Sequence, residues 1–398
     1  LGTLALATAT ALGQEAIRSS LAGEAAAEAR RRANQTIGYY NLNLGPTYWR
    51  LAAGLGLEYN SNVQFQTDHP EDDFILRPEL DLAIRWPVSE LNTLVLDAGV
   101  GYAKYFDNSD LDRLYVRPGT QLSFDIYSGD FRINLHNRLE IRQETYQNPL
   151  VAGTGDYQRL ENTVGVTVDW DLHDLILTAG YDHETYLNLG DERWPDGRIE
   201  SAFARAGWII SPTVTAGFEA GGSLIRYRDS GYTDGEQFSA GGFATGAVTE
   251  YITARAGVGV TGSYFNDDRH DPYGYLGLQH RINAALGYSF TGGREIRSGL
   301  QWAQTAEILD SYFVTWQPYW DFLRDWSVGT PFFYRHLIEY GGTDDETVDQ
   351  FGAGARIQRT VTKHLTAALE YRYVYRDSNL PDRDYDTHSV MLRFGYRF

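Results

Sequence analysis

The stretch FILRPELDLAIRW, residues 74–86, puts Phe74, Leu76, Pro78, Leu80, Leu82, Ile84 and Trp86 on one parity and Arg77, Glu79, Asp81 and Arg85 on the other. Side chains alternate between the two faces of a strand, so this segment reads as a β-strand with one apolar and one charged surface. The same alternation appears upstream, where Leu51, Ala53, Leu55, Leu57 and Tyr59 face Arg50, Ala52, Gly54, Gly56 and Glu58. Downstream, Phe131, Ile133, Leu135, Leu139 and Ile141 oppose Arg132, His136, Arg138, Glu140 and Arg142. In these strands charge keeps to one parity. A wall between lipid and water requires that arrangement, with apolar residues facing lipid and charges confined to the wet interior.

Period two continues from Pro46 to the end of the chain, and the connections alternate between short and long. Tight turns fall near Pro87-Val88-Ser89, Ser128-Gly129-Asp130, Leu172-His173-Asp174, Ser211-Pro212, Glu250, Gly292-Gly293, Arg324-Asp325 and Thr362-Lys363. Polar segments lie between them at 61–72, 107–113, 148–158, 188–198, 229–237, 267–273, near Asp310, at 341–346 and at 378–386. Short periplasmic turns and longer outer loops are the habit of outer-membrane barrels. Counting hairpins predicts an all-β, transmembrane, antiparallel up-and-down barrel of about 18 strands (roughly 16–20), an even number with both termini in the periplasm. A soluble propeller or solenoid would instead have uniform loops and apolar faces on both packed sides.

Composition agrees with this reading. The chain has 398 residues, 42% hydrophobic and 14% aromatic, with 28 Tyr and 9 Trp. Such rings are stable where acyl tails meet wet headgroups. No run reaches the roughly 18 apolar residues of a membrane-spanning helix. A mean hydropathy of −0.40 is the average expected when a lipid-facing surface is balanced by a polar lumen. The net charge of −19 argues against nucleic acid as a partner. The absence of cysteine removes disulfides, thiolate metal sites and covalently attached c-type haem, so no cofactor is expected.

Residues 1–13 (LGTLALATATALG) read as the remnant of a secretory signal ending in small residues. Residues 14–46 form a lead-in or plug on the periplasmic side. Its Ala/Glu/Arg-rich part, from Gln14 to Ala33, is a helix with a thin stripe of Ile17, Leu21 and Ala25. The barrel occupies residues 47–398. At its end Val390, Leu392, Phe394, Tyr396 and the terminal Phe398 alternate strictly. This looks like the C-terminal signal through which the barrel-assembly machinery recognises outer-membrane proteins.

The first strand, GLGLEYNSNV from Gly54 to Val63, together with the strand count and the lead-in, resembles the Putative beta-barrel porin 2 group. The resemblance runs from about Tyr48 to Phe398 and implies an integral protein of the Gram-negative cell envelope. Some members of the group are associated with exopolysaccharide export, which implies a second role with periplasmic export proteins as partners. No functional residue is carried over from the group.

The inward parity gathers the candidate pore lining. Arg77, Glu79, Asp81 and Arg85 lie on one strand, Arg117 and Asp125 on another, and Arg132, His136, Arg138, Glu140 and Arg142 on the next. Arg356, Glu370, Arg372, Arg376 and Arg393 lie on the last three strands, which must close against the first. Mixed charges on a lumen wall orient polar solutes and exclude apolar ones. They also pair with one another, at about 0–1 kcal/mol for each exposed pair. Tyr115 and Tyr227 share the inward parity and offer rings to sugars. Trp86, Tyr102, Trp170, Tyr181, Trp208, Trp302, Tyr371 and Tyr373 read as an interface girdle or lipid-facing wall.

Acidic clusters at Glu71-Asp72-Asp73, Asp267-Asp268 with Asp271, Asp344-Asp345-Glu346, and Asp382, Asp384 and Asp386 lack the spacing of a calcium loop. They read as solvated loops, with divalent bridging to lipopolysaccharide phosphates as a minor role. No Ser/His/Asp set or paired histidines stand out, and His280 and His336 read as surface or rim residues, so an enzyme is not expected. The sequence therefore predicts an outer-membrane channel for small polar solutes. An exopolysaccharide-export barrel is the alternative, and a rim-located lipid hydrolase the distant third.

Overall fold

The period-two segments close into one antiparallel sheet in a computed structural model that describes residues 40–142, 150–190, 194–229, 231–302, 306–342 and 345–398. The sheet contains 21 strand segments. One of them, Leu42–Leu44, is a short arm folded back on Thr47–Trp49 around Gly45. Two wall strands are each broken into two segments, which leaves eighteen strands around the barrel. The first six are β1 (Thr47–Asn60), β2 (Asp73–Pro87), β3 (Thr93–Tyr105), β4 (Arg113–Val116 and Thr120–Ser128), β5 (Phe131–Arg142) and β6 (Arg159–Asp171). Then follow β7 (Leu175–Asn188), β8 (Gly197–Ser211), β9 (Val214–Tyr227), β10 (Gly235–Ala247), β11 (Ile252–Tyr264) and β12 (Asp268–Arg281). The wall is completed by β13 (Leu286–Ser298), β14 (Ile308–Leu323), β15 (Trp326–Gly329 and Phe332–Tyr340), β16 (Thr347–Thr360), β17 (Leu365–Ser378) and β18 (Tyr385–Arg397).

Each strand pairs with its chain neighbours, and β18 pairs with β1 from Ala52↔Arg397 to Asn60↔Ser389. No edge is left open, as a sheet in hydrocarbon requires. The outward parity is apolar and exposed: Leu80 is 60% accessible, Phe218 68% and Val258 69%. Near the loop end, however, charges also occupy the outward parity, as in His183–Glu200 and His336–Asp349, both at 2.9 Å. The confinement of charge to one parity therefore fails there. About 9–11 tilted residues cross the hydrocarbon, and strands such as the 14-residue β7 project beyond it into the headgroup layer.

Seven of the eight expected tight turns lie where the sequence places them. The eighth does not, because Gly292 and Gly293 lie inside β13 and the chain reverses at 282–285. Asn283 makes that turn without glycine. Its side-chain oxygen accepts from the Ala285 and Leu286 amides at 2.8 and 2.9 Å, an Asx-type closure. The polar segment 267–273 also shortens, since β12 begins at Asp268, and Asp310 belongs to β14 rather than to a loop. Residues 1–13 and the helix expected from 14 to 33 lie outside the described residues.

Candidate functional site

Charged residues line the lumen all round. Around β1–β7 and β16–β18 they interlock as described next, and β8–β15 carry further inward charges such as the pair Arg205–Glu219. β8–β15 add aromatic rings set over glycines. Phe203 lies over Gly180, Tyr275 over Gly257, Tyr319 over Gly287 and Phe333 over Gly352, each so close that a Cβ on the glycine would fall within about 2.5 Å of the ring or its hydroxyl. Only bare backbone lets such rings lie flat against the wall.

Around β1–β7 and β16–β18 the residues picked out by parity interlock. At the seam, Glu58 accepts from Arg77 Nε at 2.7 Å, from Ser389 Oγ at 2.8 Å and from Arg372 at 3.3 Å, joining β17, β18, β1 and β2. Glu79 accepts from Tyr115 Oη at 2.8 Å, pairs with Arg393 and lies 3.7 Å from Arg117. Asp81 pairs with Arg117. Arg132 bridges Asp125 and Asp169 at 3.4 and 3.3 Å, His136 meets Asp182 at 2.7 Å, and Arg142 lies between Glu140 and Glu161. Arg356 pairs with Glu370 at 3.3 Å, and Arg376 with the buried Glu346 at 2.6 Å. Arg85 and Arg138 keep the inward parity on β2 and β5.

Several of these pairs join strands that are not neighbours, and the strand between supplies a glycine. Gly165 on β6 is in register with both His136 and Asp182, and a Cβ there would sit 1.8 Å from the Asp182 carboxylate. Gly101 separates Glu79 from Tyr115, and Gly99 separates Asp81 from Arg117 in the same way. Parity identifies the charged residues but not these partners. Glu58, Glu161, Asp169 and Asp182 were missed as site residues, although an inward glycine flanked by charges on both sides is a usable signal for such a bridge.

At the loop end the chain folds inward. The segment 150–158 leads into β6, yet its Leu150 is fully buried against Leu309 of β14, Leu337 of β15 and Val348 of β16, on the opposite wall. It is tied in place on several sides. Arg383 donates to Leu150 O at 2.6 Å, Gly153 N donates to Phe65 O at 2.8 Å, and Gly155 N donates to Gln64 Oε1 at 2.9 Å. Arg113 donates to Tyr157 O at 3.2 Å and to Gly155 O. A second inward segment begins at the 3-10 turn Gly299–Trp302, whose Leu300 packs against Tyr186, Ile199 and Ile225 of β7–β9, while Arg159 donates to Leu300 O. Trp302 is the last residue of that turn. Tyr227, read as a sugar platform, stacks on Tyr232 at 5.2 Å.

Two acidic clusters also acquire structural roles. Asp73 accepts the amides of Phe106, Asp107 and Asn108 and so holds the following loop. Glu346 binds Arg376 and Arg383, the second of which also holds Leu150.

Toward the turn end from residues 150–158 lies a chamber of about 710 Å³, whose lining includes Arg132, Asp169, Thr178, Arg205, Thr215, Phe243, Arg255 and Tyr275. Arg205 sits 3.4 Å above the Phe243 ring and 3.9 Å from Glu219.

A family model described as Putative beta-barrel porin 2 matches residues 48–272, more than half of the chain. No curated protein matches the sequence. Among solved structures, the outer membrane protein OpdK from Pseudomonas aeruginosa is 12% identical, with a TM-score of 0.50 over 88% of this chain and 99% of its own. OccAB3 from Acinetobacter baumannii is 9% identical, with a TM-score of 0.50 over 89% of this chain and 100% of its own. At these identities the likeness is one of fold.

Proposed function

The chain belongs to the Putative beta-barrel porin 2 family, and from that premise we propose that it is a selective channel for small polar solutes. As an outer-membrane porin-like barrel it spans a layer that such solutes cross only through protein. The observation that carries the reading is the reach of residues 150–158 across the lumen, where Leu150 packs against Leu309, Leu337 and Val348 of the opposite wall. A wall of eighteen strands is wide enough to hold water, so selectivity needs something folded inside. The inward loop narrows the path, and the ion-paired ladder offers polar contacts along it.

In this reading both termini and the tight turns are periplasmic, and the inward loops guard the outer mouth. The sixteen inward charged residues from Arg77 to Arg393 line the pore. Val390, Leu392, Phe394, Tyr396 and Phe398, exposed on the outward parity, are the contact with the assembly machinery. The outward charges near the loop end face lipopolysaccharide headgroups.

An export barrel for exopolysaccharide finds support in the rings of β8–β15, because sugar rings stack on such groups. A polymer would need the Leu150 segment to leave the lumen, whereas a small solute passes beside it. Liposome swelling separates the two readings. Fast entry of monosaccharides with steep loss for trisaccharides supports the small-solute channel, and entry independent of size would overturn it.

A further inference from the structure

Most arginines of the charged ladder are committed to carboxylates, but Arg255 is not. It projects from β11 into the turn-end chamber, lying over the bare backbone of Gly277, where a Cβ would come within 2.6 Å of its Nε. Among the described residues no ion pair joins it to a carboxylate. Its neighbours in the chamber are spoken for: Arg132 by Asp125 and Asp169, and Arg205 by Glu219. Asp130 and Asp171 stand at the exposed mouth, where water and salt screen them. A half-buried guanidinium without a counter-charge is costly unless a ligand supplies one.

Beside it, Tyr275 rests one face on Gly257 and lines the chamber, and Phe243 lies under Arg205. Thr178, Thr215 and Thr245 add hydroxyls. A volume of about 710 Å³ suits a solute of one or two rings. We propose that this chamber is a binding site for a small organic carboxylate built on a six-membered ring. The carboxylate takes the planar fork of Arg255 through two parallel hydrogen bonds, and the ring packs on Tyr275 and the edge of Phe243. This names a solute class for the channel proposed above and rests on that reading for its role in transport, though binding itself does not require passage.

The test uses the full refolded barrel in detergent, with benzoate, its neutral analogue benzamide, and ringless acetate as probes. Equilibrium binding is measured by calorimetry, and conductance is measured on the same samples in planar bilayers. The wild type is expected to bind benzoate at least about tenfold more tightly than benzamide or acetate, a difference of about 1.4 kcal/mol. Arg255→Gln removes the preference over benzamide, Arg255→Lys keeps part of it, and Tyr275→Leu removes the preference over acetate. Unchanged far-UV circular dichroism and heat-modifiable gel migration show that each variant has folded. Benzoate binding equal in the wild type and Arg255→Gln, or no preference for it in the wild type, overturns the site. Benzoate binding without any conductance upholds the site and refutes the channel. Conductance without a benzoate preference refutes the site and leaves the channel standing.

Discussion

At the scale of single residues, a glycine here is a permission for two charges to meet. His136 and Asp182 lie on strands separated by β6 and still form a buried contact at 2.7 Å because position 165 has no side chain. Gly165→Val is therefore expected to destabilise the barrel by about 3–5 kcal/mol, the cost of stranding a buried partner. His136→Ala combined with Asp182→Ala, which clears the two side chains that a Cβ at 165 would strike, should absorb most of that loss. Urea titration of the three proteins checks this, and additive losses would show that Gly165 acts through backbone alone. Parity makes a second prediction. Leu80→Arg, in the middle of a lipid-facing strand, should cost about 2–4 kcal/mol, while Asp81→Asn on the lumen side should be mild. Equal losses in refolding titrations would contradict the register of β2. The parity of charged residues was legible in the sequence because the period-two code is local. Their partners were not, because they depend on which glycine comes opposite, two strands away.

At the scale of elements, strands were easier to read than connections. Seven turns stand where turn residues mark them, and the Gly292-Gly293 pair misleads because glycine also serves close packing inside a strand. Gly293 faces the Gly274 carbonyl so closely that a Cβ would lie 2.3 Å from it. Asn283→Ala should cost about 1 kcal/mol for its lost side-chain hydrogen bonds, measured by urea unfolding in lipid. An effect larger at Gly292→Ala than at Gly293→Ala would contradict the packing role given to Gly293, since a Cβ at 292 would stay 3.2 Å from the nearest backbone atom. The inward fold of residues 150–158 had no local signature at all. Its apolar residues, Leu150, Val151, Ala152 and Tyr157, are too few and too irregularly spaced to stand out, and the partners of Leu150 lie on β14–β16. Arg383 is the tie that the geometry singles out. Arg383→Gln should loosen this segment and raise the rate of amide exchange at Leu150 and Val151 by about tenfold or more, since a charge-assisted bond of about 1.5–3 kcal/mol is lost. Unchanged exchange would place the tie in the Leu150 contacts instead.

At the scale of the whole molecule, closure depends on the seam as much as on the ladders. Glu58 collects donors from β2, β17 and β18, so it couples the first strand to the last beyond the backbone pairing of β1 with β18. Glu58→Gln leaves Arg77 buried with a weaker partner, and a loss of about 3–5 kcal/mol is expected in heat-modifiability assays. The architecture was legible in the sequence in outline, since alternation, turn spacing and loop length all pointed to eighteen strands. What the barrel holds inside depends on loops that meet the opposite wall, and no periodicity encodes that.

The central claim, that a water-filled path runs past an inward loop, is tested most directly by single-channel recording in a planar bilayer. The refolded chain is compared with a variant in which residues 150–157 are replaced by a short Gly/Ser linker. A narrowed channel predicts small, steady current steps for the intact protein and steps several times larger for the variant. Absence of current in both forms would contradict the account.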